Sequence, residues 1–204
     1  TLSDLRLLRA LISKGVDVNA CYAGLNPLLT ATRASWHGRS EAVTMLLTNG
    51  AQTQVADRDG NTPLHFAMRS TDPAVAALLL DAGAEKEAIN KEGFTPLALA
   101  CQAANWRLAR YMLERKASVE PLLAVPVLIA AAGAEDDEIG IRLLHKYKAK
   151  IDVRDNQQRT PLMIAAQAGL IEVVKVLLEL GAQINAQDEA GLTAYMLAAQ
   201  SGEV

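Results

Sequence analysis

The segment Gly60-Asn-Thr-Pro-Leu-His-Phe-Ala67 recurs along the chain, and its recurrence decides the fold. It returns as Gly93-Phe-Thr-Pro-Leu-Ala-Leu-Ala100 and as Gln158-Arg-Thr-Pro-Leu-Met-Ile-Ala165, where Gln158 replaces the glycine. Weaker copies are Gly24-Leu-Asn-Pro-Leu-Leu-Thr-Ala31, Ala124-Val-Pro-Val-Leu-Ile-Ala130 and Gly191-Leu-Thr-Ala-Tyr-Met-Leu-Ala198, the last without its proline. The proline position falls at residues 27, 63, 96, 126, 161 and 194, with gaps of 36, 33, 30, 35 and 33. A period of this size marks an architecture in which each unit buries its apolar face only against its neighbours.

A second motif follows the first: Met45-Leu-Leu-Thr-Asn-Gly-Ala51, Leu78-Leu-Leu-Asp-Ala-Gly-Ala84 and Val176-Leu-Leu-Glu-Leu-Gly-Ala182. Variants are Tyr111-Met-Leu-Glu-Arg-Lys-Ala117 and Leu143-Leu-His-Lys-Tyr-Lys-Ala149, and an unpaired copy, Ala10-Leu-Ile-Ser-Lys-Gly-Val16, opens the chain. Each pair reads as two short helices. Thr62 is placed to cap the first, with Pro63 at the position where a missing N–H costs little. Leu64 and Ala67 share a face of it. Val75, Leu78 and Leu79 follow at the spacing of a second amphipathic helix, and Gly83 ends that helix as a left-handed residue. Asp59-Gly60 is a turn signal and predicts the tip of a finger-like hairpin.

The paired motifs resemble those of the ankyrin repeat family, with its period of about 33 and T-P-L-H-x-A signature. The resemblance covers essentially the whole chain. It implies an all-α solenoid of stacked helix-turn-helix repeats with β-hairpin-like fingers. One array is expected over residues 1–204, divided as 1–20, 21–56, 57–89, 90–119, 120–154, 155–187 and 188–204: five full repeats between two half repeats. The half repeats lead us to expect a segment of a longer array or multidomain protein.

Composition agrees with a stack of thin layers. Of 204 residues, 50% are hydrophobic but only 4% aromatic, so the core must be aliphatic. The halves carry 9 basic against 10 acidic and 11 against 13 side chains, net −1 and −2. That balance argues against nucleic acid as the main partner and against a polybasic membrane-surface segment. The longest apolar stretch, Leu122 to Ala134, is 13 residues long and contains Pro126, too short to insert across a bilayer. Cys21 and Cys101 lack a Cys or His at metal-ligand spacing, and reduced thiols point to a cytoplasmic setting. The nucleus, or a host cytosol for a secreted bacterial effector, stays open.

No phosphate-loop, dinucleotide, H-E-x-x-H or C-x-x-C motif occurs in the sequence. We therefore expect no catalytic residue, cofactor or metal. His65 sits in the repeated motif and is expected to hydrogen-bond within its finger. Asp57-Arg-Asp-Gly-Asn61 hints at a calcium loop, but its glycine comes too early and Met68 stands where a bidentate Glu is needed.

Two repeats depart from the pattern. That around Pro27 has three extra residues between its helices, bringing Trp36 and His37. That around Pro126 has two extra residues in the same turn, within 132–137. Its finger is also short, because Ala117 to Pro126 spans 9 residues where Ala51 to Pro63 spans 12. Drift in a solvent-facing loop and a functional notch both account for this, and that repeat is expected to be the weakest of the stack.

The resemblance implies that another protein, of unknown identity, binds along the fingers and first helices of a monomer. The matching positions include Tyr22, Arg33, Arg58, Asp59, Asn61, Arg69, Lys91, Phe94, Gln102, Arg159 and Gln167. With Trp36 these form the expected partner-binding set, and Tyr22, Trp36 and Phe94 are its aromatic anchors. The alternative is the targeting arm of a larger enzyme or secreted effector whose catalytic domain lies elsewhere.

Overall fold

The computed structural model describes residues 2–22, 24–33, 40–70 and 73–202, with side chains from residue 5 onward. Trp36 and His37 lie outside the described residues. Twelve helices occur among them. They are α1 (Leu2–Ser13), α2 (Pro27–Arg33), α3 (Ser40–Thr48), α4 (Pro63–Ala67), α5 (Ala74–Asp81), α6 (Pro96–Gln102), α7 (Trp106–Glu114), α8 (Val127–Ala132), α9 (Ile139–Lys146), α10 (Pro161–Gln167), α11 (Ile171–Glu179) and α12 (Ala194–Ser201). The order is one helix, five pairs and one helix, so every proline-centred motif opens the first helix of a pair. No sheet forms among the described residues, and Tyr22 and Leu25 make an isolated antiparallel bridge.

The chain divides into two compact units, Thr1–Pro96 and Leu97–Val204. In the first, α2 packs on α3 and α4, α4 on α5, and α3 on α1 and α5. In the second, α8 packs on α9 and α10, α10 on α11 and α12, and α9 on α7 and α11. First helices thus meet first helices, and second helices meet second helices, as a stacked-repeat solenoid requires. The core is aliphatic: Leu64, Ala67, Val75 and Leu79 are fully buried in one repeat, and Leu162, Ala165, Val173 and Leu177 are buried in another. Burying each Leu or Val stabilises by about 1.5–3 kcal/mol relative to leaving it exposed.

Helix starts follow the local chemistry. Thr160 Oγ1 accepts from the Met163 N–H at 3.3 Å, and Thr193 Oγ1 from that of Met196 at 3.4 Å. Asn26, which stands where those repeats carry threonine, does the same through Oδ1 to the Leu29 N–H at 2.8 Å. Helix ends are less uniform. Gly50, Gly83 and Gly181 take left-handed backbone after α3, α5 and α11, but Lys116 and Lys148 hold it after α7 and α9, at φ 62° and 71°. Gln158, in the glycine position of its finger, is left-handed too, at φ 61°. A side chain there costs about 1–2 kcal/mol that glycine avoids.

Candidate functional site

The fingers connect each second helix to the next first helix, and one device shapes four of them. Asp57 Oδ1 accepts the N–H groups of Asp59 and Asn61 at 2.9 and 2.8 Å. Asn90 does so for Glu92 and Phe94, Asp155 for Gln157 and Arg159, and Asp188 for Ala190 and Leu192. The hairpin closes behind it, as in the Asp57 N–H to Asn61 carbonyl bond of 3.0 Å. Asp57 is thereby engaged by backbone donors, which explains the calcium-like spelling of 57–61 without a cation. Among the described residues no group of three or more His, Cys, Asp and Glu could hold a metal ion.

Neighbouring tips are stitched together. The Lys91 N–H donates to the Asp59 carbonyl at 2.9 Å in the first unit, and the Glu189 N–H to the Gln157 carbonyl at 3.0 Å in the second. Gly60 lies so close to the next tip that a Cβ there would meet Lys91 N at 3.2 Å, and its φ is 78°. Glycine is needed on both counts. A second stitch, not read from the sequence, joins finger bases. Asn19, Gln54, Glu120 and Asp152 each accept, through a side-chain oxygen, the N–H that follows the next repeat's recurring alanine, at Gln52, Glu85, Lys150 and Gln183. Their spacing of three residues beyond Val16, Ala51, Ala117 and Ala149 is the signal that would have revealed them.

His65 is 1% exposed and bridges two repeats. Its Nδ1 accepts the Thr62 N–H at 3.1 Å and lies 2.9 Å from Thr62 Oγ1, and its Nε2 lies 3.1 Å from the Phe94 carbonyl oxygen. A neutral ring protonated at Nε2 satisfies all three. Burial pushes its pKa below the ordinary value, against the opposing pull of the Phe94 carbonyl and the Asp57 carboxylate. The expected bond within the finger is present, and a second bond reaches the following finger. Cys101 is fully buried and burial pushes its thiol far up, whereas Cys21 is exposed.

The partner-binding candidates fall into two groups. In the first unit Tyr22, 88% exposed, stands on its finger beside Leu25. It borders a pocket of about 530 Å³ floored by Leu8, Pro27, Ala31 and Leu46. Arg33, Arg58, Asp59, Arg69 and Lys91 are exposed. Phe94 is half-buried. Asn61 is half-buried, with Oδ1 accepting from Asn90 Nδ2 of the next finger at 2.9 Å. In the second unit Gln102 and Gln167 are exposed at the ends of α6 and α10. Arg159 is held by Asp155, with both Nε and Nη2 2.8 Å from Oδ2. Asn61 and Arg159 therefore have structural partners that their sequence positions do not disclose.

The lengthened turn after α8 is a brace. Trp106 Nε1 donates to Glu135 Oε1 at 2.7 Å. Asp136 Oδ1 accepts the N–H groups of Glu172 and Val173 at 2.7 and 3.3 Å, capping α11, whose own N-cap Leu170 has no side chain able to do so. Asp137 Oδ1 takes the Ile139 N–H at the start of α9. The two extra residues are thus tied to both neighbouring repeats. Gly140, early in α9, admits the Trp106 ring, against which a Cβ there would clash.

This arrangement of paired short helices, braced fingers and exposed tips defines an all-α repeat solenoid. The model of ankyrin repeats in three copies matches residues 33–122 and 124–188, and the chain belongs to that family. The crystal structure of the ankyrin repeat domain of Bcl-3, described as a unique member of the IkappaB protein family, superposes with a TM-score of 0.76 at 25% identity, covering 95% of this chain and 87% of that one. Among curated proteins, the serine/threonine-protein kinase VIK of Arabidopsis thaliana is 46% identical over 55 residues, 26% of this chain and 13% of its own length. Inversin of Danio rerio is 38% identical over 79 residues, 39% of this chain and 8% of its own. The chain thus spans only a small part of these curated relatives. Ankyrin repeats are in general protein–protein interaction modules. No described helix is long and apolar enough to cross a membrane.

Proposed function

We propose that the chain is an adaptor or scaffold array that binds another protein through its finger tips and first-helix surface as a monomer, in the cytoplasm. The observation that carries this reading is Tyr22 on the first unit's finger. It is 88% exposed, borders a largely apolar pocket and pairs with Leu25 in an isolated bridge. An exposed aromatic beside an apolar depression is what interface anchors require. Arg58, Asp59, Arg69 and Lys91 are exposed in the same unit and are the proposed polar contacts. Trp36 and Phe94 complete the proposed anchors.

The test uses a binder captured on the immobilised chain and then purified. Tyr22→Ala, Trp36→Ala and Phe94→Ala are each expected to weaken it by about 1–3 kcal/mol. Their melting temperatures should change little. A sharp fall in melting temperature with affinity intact would make these residues core and overturn the assignment. A second reading, the targeting arm of a larger enzyme, draws support from the plant relative, a kinase by name, of which the matched stretch is 13%. A catalytic motif elsewhere in the full-length sequence would favour it.

A further inference from the structure

Within each unit the first helices lie on one another: α2 on α4, α8 on α10, and α10 on α12. Helices α4, α10 and α12 therefore each have an earlier first helix against one face. Helix α2 has none among the described residues. Its corresponding face, through Pro27, Thr30 and Ala31, lines the pocket of about 530 Å³. Register makes the correspondence. Counted from the prolines, Thr30 matches Ile164 and Ala31 matches Ala165. Ile164 touches the end of α8, where a Cβ added at Gly133 would lie 3.1 Å from its Cγ2. The pocket over Thr30 thus occupies the position at which α8 lies on α10.

Helix α1 borders the same pocket through Leu8. Leu7, Leu8 and Leu11 share one face of α1. In the second motif Leu7 and Leu11 match Val173 and Leu177 of α11. Val173 and Leu177 are fully buried in a helix that packs on its own first helix, α10, whereas Leu7 is 61% and Leu11 45% exposed. Asn26 adds a polar group. It is 3% exposed, lines the pocket, and stands where Thr160 and Thr193 cap their helices. Its Oδ1 takes the Leu29 N–H, but its buried Nδ2 donates to nothing among the described residues. A buried donor without an acceptor costs about 1–3 kcal/mol. No residue lining the pocket carries a charge.

We infer that the pocket beside Tyr22 takes a short helix of a partner protein, presenting an uncharged face of leucine and alanine and an oxygen to Asn26 Nδ2. This inference rests on the protein-binding reading above and names the occupant of that site. The helix lies on α2 as α8 lies on α10, and so continues the run of first-helix contacts already present in the unit. Its apolar face covers Leu7, Leu8 and Leu11 of α1, as α10 covers α11. Helix-in-groove docking needs only apolar residues at i, i+3 and i+4 spacing, which is the spacing the first helices of this chain themselves use. The oxygen satisfies a donor that a threonine at position 26 would not carry.

Two labelled peptides of about a dozen residues test this on the full chain by fluorescence anisotropy. Both are built of leucine, alanine and glutamine. One sets its leucines and alanines at helical spacing, the other sets them at alternate positions. The helical peptide should bind at least about tenfold tighter than the alternating one, with little response to salt. Thr30→Arg and Leu7→Ser/Leu11→Ser should each reduce that binding by about tenfold. Asn26→Thr should reduce it by about fivefold, the worth of one hydrogen bond, without lowering the melting temperature. No binding, equal binding of the two peptides, or indifference to any of these substitutions would overturn the inference. So would concentration-dependent self-association in sedimentation that Thr30→Arg abolishes, since a second copy would then be the occupant. A captured partner weakened by Tyr22→Ala but indifferent to Thr30→Arg, Asn26→Thr and the leucine pair would remove this inference and leave the protein-binding reading standing.

Discussion

The repeats at 155–187 and 120–154 stack side by side in one unit and are held in different ways. The regular one holds its finger and the start of α10 by itself, although α11 takes its N-terminal cap from Asp136 of the irregular one. Asp155 shapes its finger, Arg159 braces Asp155, Thr160 caps α10, and Gly181 ends α11 without strain. The irregular one has none of these. Val125 stands where threonine would cap, Pro126 offers no side-chain bond, the finger has lost its Asp, and Lys148 strains the exit from α9. It is held by partners about 30 to 37 residues away: Trp106 to Glu135, Lys150 to Glu120, Glu172 to Asp136, and Arg142 to Glu179. Helix α8 is buried along its whole length. Local capping and borrowed bracing are alternative solutions to the same fold, and only the first leaves a mark within one motif.

The comparison can be broken most forcefully at Gly140. Gly140→Ala pushes a methyl into the Trp106 ring and should cost about 1–3 kcal/mol by overpacking. In a double-mutant cycle, Trp106→Ala should absorb much of that cost, since the clash disappears with the ring. Additive losses in chemical denaturation would show that the ring is not what excludes a side chain there.

Next comes the borrowed cap. Asp136→Ala and Thr160→Ala should each cost about 1 kcal/mol, the usual worth of an N-cap. Their footprints in hydrogen exchange should differ. Loss of Thr160 should loosen the start of α10 alone, whereas loss of Asp136 should loosen α11 and the turn before α9 together. In the unaltered chain, 120–154 should exchange ahead of 155–187. Equal protection would mean that the distant ties fully replace the missing local ones.

Restoring glycine should have smaller effects of opposite sign. Lys148→Gly in the irregular repeat and Gln158→Gly in the regular one should each stabilise by about 0.5–1 kcal/mol. That is the left-handed penalty of about 1–2 kcal/mol less the extra chain entropy of glycine, about 0.5–1. A lower melting temperature for either would show that the side chain makes a compensating contact.

The mildest test is titration. His65 belongs to the 57–89 repeat, while Leu128 and Met163 hold its place in the two repeats compared above. Its folded pKa is lowered, so the unfolded chain takes up a proton first as pH falls below the ordinary value of 6.5. Stability from this site is present in full above pH 6.5, declines below it, and levels out under the folded pKa. Exchange of α4 should therefore quicken in mild acid, and His65→Gln should remove that response. The starts of α8 and α10 should show no histidine-linked change, and an equal response there would point to carboxylates instead.

The sequence by itself determined the repeat register, the helix pairs and the turn positions. Threonine caps, first-turn prolines, terminal glycines and apolar spacing act over one to four residues, and such short-range rules are written in consecutive letters. It also set apart the two irregular turns and placed Tyr22 on a finger. Tertiary structure alone decided which polar residues are already engaged. Asn61 bonds Asn90, Asp136 caps a helix of the next repeat, Glu120 holds Lys150, and Gly140 makes room for Trp106. Each of these partners lies about one repeat away along the chain. Once the period has been disturbed by insertion and deletion, as around Pro126, sequence spacing no longer says which side chains will meet, and stacking does.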